Sequence, residues 1–142
     1  MTRPAEPTPA GTHHVSGVVN RPSPLAVADT VQRLTEAILA AGAKVFAVID
    51  QSAEAAAAGA SLRDTQLILF GSPLAGTPVM EASPLAALDL PLKILVWADD
   101  GGVVWMTYLS PEWLADRYDI PQEVAKPLSA VENLTSRLAA RG

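Results

Sequence analysis

Residues 92–108 of the chain, LKILVWADDGGVVWMTY, decide the fold. Two apolar runs, Leu92–Ala98 and 103–108, flank the turn-forming segment Asp-Asp-Gly-Gly at 99–102. Strand-forming residues on both sides of a short Asp/Gly turn are the strongest local signal for a β-hairpin. The two runs are therefore predicted to pair antiparallel.

The residues before this hairpin alternate strand patterns with a helix pattern. Residues 14–20 predict a first strand, which Pro22 and Pro24 end. A helix should follow, because apolar residues then recur at offsets of three and four. These residues are Val27, Val31, Leu34, Ile38 and Ala41. Gly42 closes the helix, and the Val- and Ile-rich stretch Lys44–Asp50 predicts a second strand.

Two short patterns and a connection separate that strand from the hairpin. Ser52 is predicted to cap a short helix through the alanine run 55–58. Residues 62–70 predict a long third strand with alternating faces. Within the proline-containing connection, Thr77 and Ser83 each precede a proline, which indicates the starts of two short helices.

The segment after the hairpin is predicted to be helical. Ser110 followed by Pro111 opens a short helix, and a longer one follows the breaks at Pro121 and Pro127. One face of this last helix carries Leu128, Val131, Leu134, Thr135 and Leu138. The predicted fold is α+β in two layers, a mainly antiparallel sheet of about five strands with two long helices on one face.

Composition excludes several classes of function. The net charge of -5, with ten scattered Lys and Arg, argues against binding to nucleic acid. No apolar run approaches the length of a membrane span, and residues 1–12 form a proline-rich stretch without the apolar core of a signal peptide. We expect a flexible tail over 1–12, a single domain over 13–142, no membrane partner and a cytoplasmic location.

Side-chain chemistry is also restricted. The chain has no cysteine, so disulfides, thiolate metal sites and a cysteine nucleophile are excluded. Its two histidines, His13 and His14, are adjacent and would need a third ligand to hold a metal. We predict neither a metal site nor a cofactor.

Asp50 is the carboxylate best placed for chemistry. It ends an apolar strand and precedes a helix start, where backbone donors would hold it ionised. It is a weak candidate for a catalytic or ligand-binding group in a cleft, with Gln51 beside it. The alternative is an aspartate that makes only local turn or cap hydrogen bonds.

Arg63 and Thr65 enter the third strand, and they converge with Asp50 only if strands two and three are neighbours. That would bring a cation, a hydroxyl and a carboxylate to one end of the sheet. The alternative is a structural ion pair between Arg63 and Asp50.

The segment Gly71-Ser72-Pro73-Leu74-Ala75-Gly76-Thr77 has the glycine spacing of a phosphate-binding loop. Pro78 stands near where that motif needs Lys and a hydroxyl residue, so nucleotide hydrolysis is not expected. Gly71, Ser72, Gly76 and Thr77 are candidate ligand-binding residues. The alternative is a tight turn before a helix that Thr77 caps.

Large aromatic residues lie on the hairpin. Trp97, Trp105 and Tyr108 are predicted to make cross-strand contacts that cover the sheet. If they faced solvent, an apolar patch would suit a protein interface. Asp99 and Asp100 are interpreted as turn residues.

Between Thr30 and Tyr108, residue types at several positions occur in an order that resembles the family of domains of unknown function numbered 302. These positions are Thr30, Leu34, Gly42, Phe46, Ile49, Asp50, Ala55, Gly59, Leu62, Arg63, Thr65, Gly71, Pro73, Gly76, Thr77, Met80 and the run 89–93, Asp-Leu-Pro-Leu-Lys. The resemblance implies a two-layer α+β fold like that of TATA-binding-protein-like domains, commonly as a homodimer. It implies no reaction, because the family has no established activity.

Three residues depart from the family's pattern. Gln51 stands where a histidine usually follows the aspartate, Asp64 stands where proline is usual, and Ser72 stands where asparagine often precedes the proline. Glutamine cannot titrate and is a poor transition-metal ligand. If the Asp-His pair is functional in relatives, this chain has lost that function.

The leading hypothesis is a homodimeric domain that binds a small molecule or acts as an accessory domain, without established catalysis. Its candidate ligand residues are Asp50, Gln51, Arg63, Thr65 and the 71–77 loop. One alternative is an enzyme acting on a small polar metabolite, with Asp50 as base and Arg63 as anion holder. Another is a structural module that binds a partner through the Trp97 and Trp105 hairpin.

Overall fold

The computed structural model describes residues 8–140 and confirms the predicted α+β fold. Five strands form one antiparallel sheet in the order β1-β5-β4-β3-β2. The strands are β1 (Val18–Ser23), β2 (Lys44–Asp50), β3 (Thr65–Gly71), β4 (Leu92–Ala98) and β5 (Val104–Leu109). The hairpin of β4 and β5 lies at the centre, with Trp97 opposite Trp105 as the cross-strand prediction required.

Six α-helices and two 3-10 helices complete the described chain. The α-helices are α1 (Val27–Ala40), α2 (Gln51–Ala57), α3 (Pro73–Ala82), α4 (Pro111–Arg117), α5 (Gln122–Ala125) and α6 (Ala130–Ala139). The 3-10 helices are Pro84–Asp89 and Lys126–Ser129. Within residues 8–140, no helix is both long enough and apolar enough to cross a membrane.

The main core lies between the sheet and the two helices α1 and α6. Alternate residues of β3, β4 and β5 face these helices, because side chains alternate between the two faces of a strand. The fully buried residues from the strands include Ile68, Phe70, Ile94, Val96 and Met106, and those from α1 include Leu34 and Ile38. A second, smaller core joins α3, α4 and the segment before α6.

Several predicted strand bounds differ from those in the structure, those of the first strand among them. The first strand begins at Val18 rather than residue 14 and includes Pro22. Proline is tolerated there because β1 is an edge strand, paired only with β5. Of the predicted tail, residues 1–7 lie outside the described residues, whereas Pro9 is buried and the Ala10 N–H donates to Asp99 at 2.9 Å.

Helix caps were predicted at the wrong residues. The cap of α2 is Asp50, whose carboxylate accepts from the Ala53 N–H, rather than Ser52. The cap of α3 is Ser72 rather than Thr77, and Pro78 lies inside that helix. Pro78 cannot donate to the carbonyl of Leu74, but Leu74 is 89% exposed, so water can satisfy this acceptor.

Candidate functional site

Asp50 and Thr65 meet at one end of the sheet because β2 and β3 are neighbouring strands. The Asp50 carboxylate accepts from the Ser52 hydroxyl at 2.7 Å and from the Ala53 N–H at 2.9 Å. Ser52 in turn accepts from the Thr65 N–H at 3.2 Å, and the Thr65 hydroxyl donates to the Arg63 carbonyl at 2.8 Å. These hydrogen bonds tie the end of the strand pair to the start of α2.

The chemistry of Asp50 follows from this capping role. Its hydrogen bond from the Ser52 hydroxyl, and then that from the Ala53 N–H, lower the pKa of the carboxyl below its ordinary value. A carboxylate with a lowered pKa is a weak base at neutral pH. The geometry therefore favours the capping interpretation over that of a catalytic base.

The ion pair predicted between Arg63 and Asp50 is absent among residues 8–140. Arg63 instead pairs with Asp100 in the hairpin turn, and both side chains are about half exposed. The β4–β5 turn lies at the same end of the sheet as Arg63, so Asp100 is within reach of its guanidinium. Gln51, the first residue of α2, is exposed.

The 71–77 segment lies at the opposite end of β3 from Asp50. Thr65 and Gly71 are six residues apart in this strand, which is about 20 Å at the usual rise of about 3.3 Å per residue. The candidate residues therefore divide into two separate groups. One group surrounds Asp50, and the other begins at Gly71.

A cavity of about 410 Å³ lies beside this second group. Gly71, Ser72 and Gly76 line it, whereas Thr77 is exposed and its hydroxyl donates to the Pro73 carbonyl at 2.6 Å. Most of the remaining wall is apolar and comes from distant parts of the chain. It includes Phe46, Phe70, Val79, Met80, Leu90 and Leu128.

Two glycines leave space in this cavity that the fold does not require. Neither Gly71 nor Gly76 has a positive φ, so an L-residue could adopt either conformation. A Cβ at Gly71 would meet only the Phe46 ring at 3.9 Å, and one at Gly76 only the Met80 Cε at 3.9 Å, which are ordinary contacts. Glycine inside a strand or helix costs about 0.5–1 kcal/mol relative to alanine, so this space lowers stability.

Asp99 is the important polar residue that sequence reasoning missed. The sequence predicts a turn residue at this position. In the structure it is only 6% exposed, and its carboxylate accepts four hydrogen bonds. The donors are the N–H groups of Ala10, Gly101 and Val103 and the indole N–H of Trp105, at 2.8–2.9 Å. The Trp105 indole is the main cause that lowers the pKa of Asp99 to about 2. No local sequence pattern distinguishes Asp99 from Asp100.

A second polar cluster joins β1, β5 and α6. The Arg21 guanidinium donates to the Tyr108 hydroxyl and to the Glu132 carboxylate, both at 3.0 Å. The Tyr108 hydroxyl donates to the same Glu132 oxygen at 3.1 Å. Burial raises the pKa of Tyr108. The cluster holds the edge strand to the last helix.

Residues 8–140 contain no group of three His, Asp or Glu side chains that could hold a metal ion. His13 and His14 are both exposed. The cavity of about 410 Å³ that Gly71, Ser72 and Gly76 line is a separate candidate for a binding site.

Comparison with known proteins identifies a family. The family model described as "Domain of unknown function DUF302" matches residues 19–140. A crystal structure of an uncharacterized conserved DUF302 protein from Bacillus stearothermophilus superposes with a TM-score of 0.72 at 15% identity, covering 89% of this chain and 98% of that one. At this identity the likeness shows the fold alone, and it confirms the two-layer α+β architecture.

Curated relatives carry a functional name. A segment of 105 residues, 74% of this chain, is 40% identical to a protein from Brucella suis named fluoride-specific ion channel FluC 1. The same identity relates it to FluC 1 of Brucella abortus and FluC 2 of Brucella melitensis. The match covers 41% of the first protein and 39% of the other two, so it spans about two fifths of their length.

Proposed function

The chain belongs to the DUF302 family, whose description names no activity, and we propose that it is a domain that binds a small, largely apolar molecule without catalysis. The supporting observation is the cavity of about 410 Å³ beside Gly71 and Gly76. Its volume lies in the range of about 300–1,000 Å³ that is typical of ligand sites, which are mainly apolar with a few polar groups. Ser72 is its polar side chain, and the Ser72 hydroxyl already accepts from the Ala75 N–H.

The enzyme alternative has less support. It requires Asp50 as a base and Arg63 as an anion holder, but Asp50 caps α2 and Arg63 pairs with Asp100. Neither residue lines the cavity. A ligand held there would meet apolar side chains and backbone rather than an acid-base pair.

Filling the cavity tests the binding proposal. We expect Gly76→Leu to abolish binding of 1-decanol, a straight-chain apolar probe, because the leucine occupies the space beside Met80. The same change should leave the melting temperature unchanged or raise it, since it removes a glycine from a helix interior. Isothermal titration calorimetry measures the affinity and differential scanning calorimetry the stability.

Thr77→Leu is the matched control, because it places the same leucine side chain on the same helix at an exposed position outside the cavity. This variant should bind 1-decanol like the wild type. The proposal fails if the wild type does not bind the probe, or if Gly76→Leu binds it with unchanged affinity.

We also propose that the domain forms a homodimer through the sheet face that points away from α1 and α6. Strand alternation and register give this second face Leu67, Leu69, Leu95 and Leu109, all partly buried, together with Trp97, the buried Trp105 and Lys93. The Lys93 ammonium donates to the Pro91 carbonyl at 3.1 Å. The Trp97 indole N–H donates to the Thr107 hydroxyl, which donates to Asn20. The Trp97 and Thr107 donors therefore already have acceptors within the sheet, and a partner that covers them leaves neither unpaired.

The size of the second face also supports a second copy as its partner. Five strands at a spacing of about 4.8 Å and a length of about 20 Å give a plane of about 480 Å² per copy. Two such planes bury about 1,000 Å², which is the lower limit for a specific interface. An isologous contact lets the same apolar residues meet their equivalents across a two-fold axis.

A charge at the centre of the second face should prevent this association. Leu95 lies on the central strand β4, so we expect Leu95→Glu to convert the dimer to a monomer by sedimentation equilibrium. Burying two opposed carboxylates without partners is costly, whereas an exposed monomer tolerates them. Leu74→Glu, at an exposed position on α3, is the control and should remain dimeric. A wild type that is monomeric at micromolar concentration would disprove the dimer.

A second candidate is an accessory domain of a membrane ion channel. It is supported by the relatives named as fluoride-specific ion channels, about three fifths of whose length lies outside the match. The test is a pull-down of detergent-solubilised Brucella suis FluC 1 from which the matching segment has been deleted. Retention on the immobilised chain is expected, and separate elution would remove this candidate.

A further inference from the structure

A second cavity runs between α1 and α6 on the outside of the main core. It is a groove of about 620 Å³ whose floor includes Leu34, Ile38 and Phe70. Four residues line both this groove and the 410 Å³ cavity, so the two spaces adjoin. They are Ala41, Ala43, Phe70 and Ala130.

Two arginines line the groove at the end away from the cavity. Arg33 precedes Ala41 by eight residues of α1, or about 12 Å at about 1.5 Å per residue. Arg137 follows Ala130 by seven residues of α6, or about 10 Å. Both arginines therefore lie at the same end of the groove, the end away from the cavity.

The charge at this end is only partly balanced. Among residues 8–140, neither Arg33 nor Arg137 has a carboxylate within salt-bridge distance. Glu36 lines the same groove, and its carboxylate accepts from the Gln32 amide at 3.1 Å. With two guanidinium groups and one carboxylate, this end of the apolar groove has a net positive charge. Guanidinium is well suited to a carboxylate because it offers paired parallel N–H donors.

We infer that the ligand is an amphiphile with a straight apolar chain and a terminal carboxylate. The chain lies in the adjoining cavity and groove, and the carboxylate binds Arg33 and Arg137. This inference rests on the proposed binding function and specifies its ligand class. An apolar chain without a charged end would contact only the apolar part of the groove. It would leave Arg33 and Arg137 without an anionic partner.

The test compares decanoate with 1-decanol by isothermal titration calorimetry at low ionic strength, where screening is weak. The wild type should bind decanoate about tenfold more tightly than 1-decanol, because two exposed charge pairs at about 0.7 kcal/mol each together give the roughly 1.4 kcal/mol of a tenfold difference. The double variant Arg33→Gln and Arg137→Gln should lose this tenfold advantage and keep its affinity for 1-decanol. Arg63→Gln is the matched control, since Arg63 is an exposed arginine at the other sheet end, and it should change neither affinity.

The two proposals fail in different ways. If 1-decanol binds and Gly76→Leu abolishes that binding, but the arginine variant binds decanoate like the wild type, the carboxylate inference is wrong and the binding function stands. If the wild type does not bind 1-decanol, the binding function itself is wrong, whatever the result with decanoate. Both arginines are exposed, so their replacement should not unfold the protein.

Discussion

Replacing Phe70 with alanine should lower the free energy of unfolding by about 3–5 kcal/mol, the usual cost of truncating a buried phenylalanine. Phe70 is 1% exposed, and its ring contributes to the main core, the 410 Å³ cavity and the groove. Removal of the ring deletes its apolar contacts and joins the vacated volume to the neighbouring spaces. Urea denaturation followed by tryptophan fluorescence measures the loss.

Phe46→Ala is a matched control for this change. Phe46 also lines the cavity but lies in the edge strand β2 and is 45% exposed, so its truncation should cost less than about 1 kcal/mol. Saturating 1-decanol should recover part of the stability lost in Phe70→Ala, because a ligand that binds only the folded state stabilises it. Equal losses for the two phenylalanines would contradict the assigned core.

Replacing Asp99 with alanine should lower the melting temperature by roughly 10 °C at neutral pH. The change removes the acceptor for the N–H groups of Ala10, Gly101 and Val103 and for the Trp105 indole. Trp105 is 7% exposed, so its N–H would be left without a partner in a nearly dry environment. Differential scanning calorimetry measures the effect.

The contribution of Asp99 should also depend on pH. Its pKa in the folded protein, about 2, lies below the ordinary value of 3.8, so the unfolded state binds its proton first as pH falls. The stabilisation is therefore fully present above pH 3.8 and is lost as pH falls through about 2. The difference in melting temperature between wild type and Asp99→Asn should shrink over this range.

Asp100→Asn provides the control for Asp99. Asp100 is the next residue of the same turn, but its carboxylate is about half exposed and pairs only with the surface residue Arg63. Exposed ion pairs contribute little, so this variant should melt within about 2 °C of the wild type. If Asp100→Asn lowered the melting temperature as much as Asp99→Ala, the stabilisation would come from carboxylates in the turn in general. It would then not come from the buried acceptor Asp99.

Periodicity predicted most elements because their signals are local. The strands Lys44–Asp50 and Leu92–Ala98 have the predicted bounds, and α1 begins at the predicted Val27. The caps were less predictable, since Asp50 and Ser52 are both good cap residues two positions apart. Only the backbone conformation decides which side chain reaches the free N–H groups, and it selected Asp50 and Ser72.

The candidate site was predicted only in part. Gly71, Ser72 and Gly76 drew attention through their spacing, and they line a cavity, although the phosphate-loop pattern that drew attention to them is incomplete. Asp50 and Arg63 were named as candidate ligand residues together with them. A strand has two ends, however, and antiparallel pairing placed these groups at opposite ones.

The sequence by itself determined the α+β class, the central hairpin and the helix that covers it, because alternation and helical spacing depend on neighbours along the chain. Tertiary structure alone decided which residues enclose the cavity and that Asp99, rather than Asp100, is the buried acceptor. The walls of the cavity come from Phe46, Val79 and Leu128, which are far apart in the chain. Side chains so distant meet only through packing, and no local pattern encodes that packing.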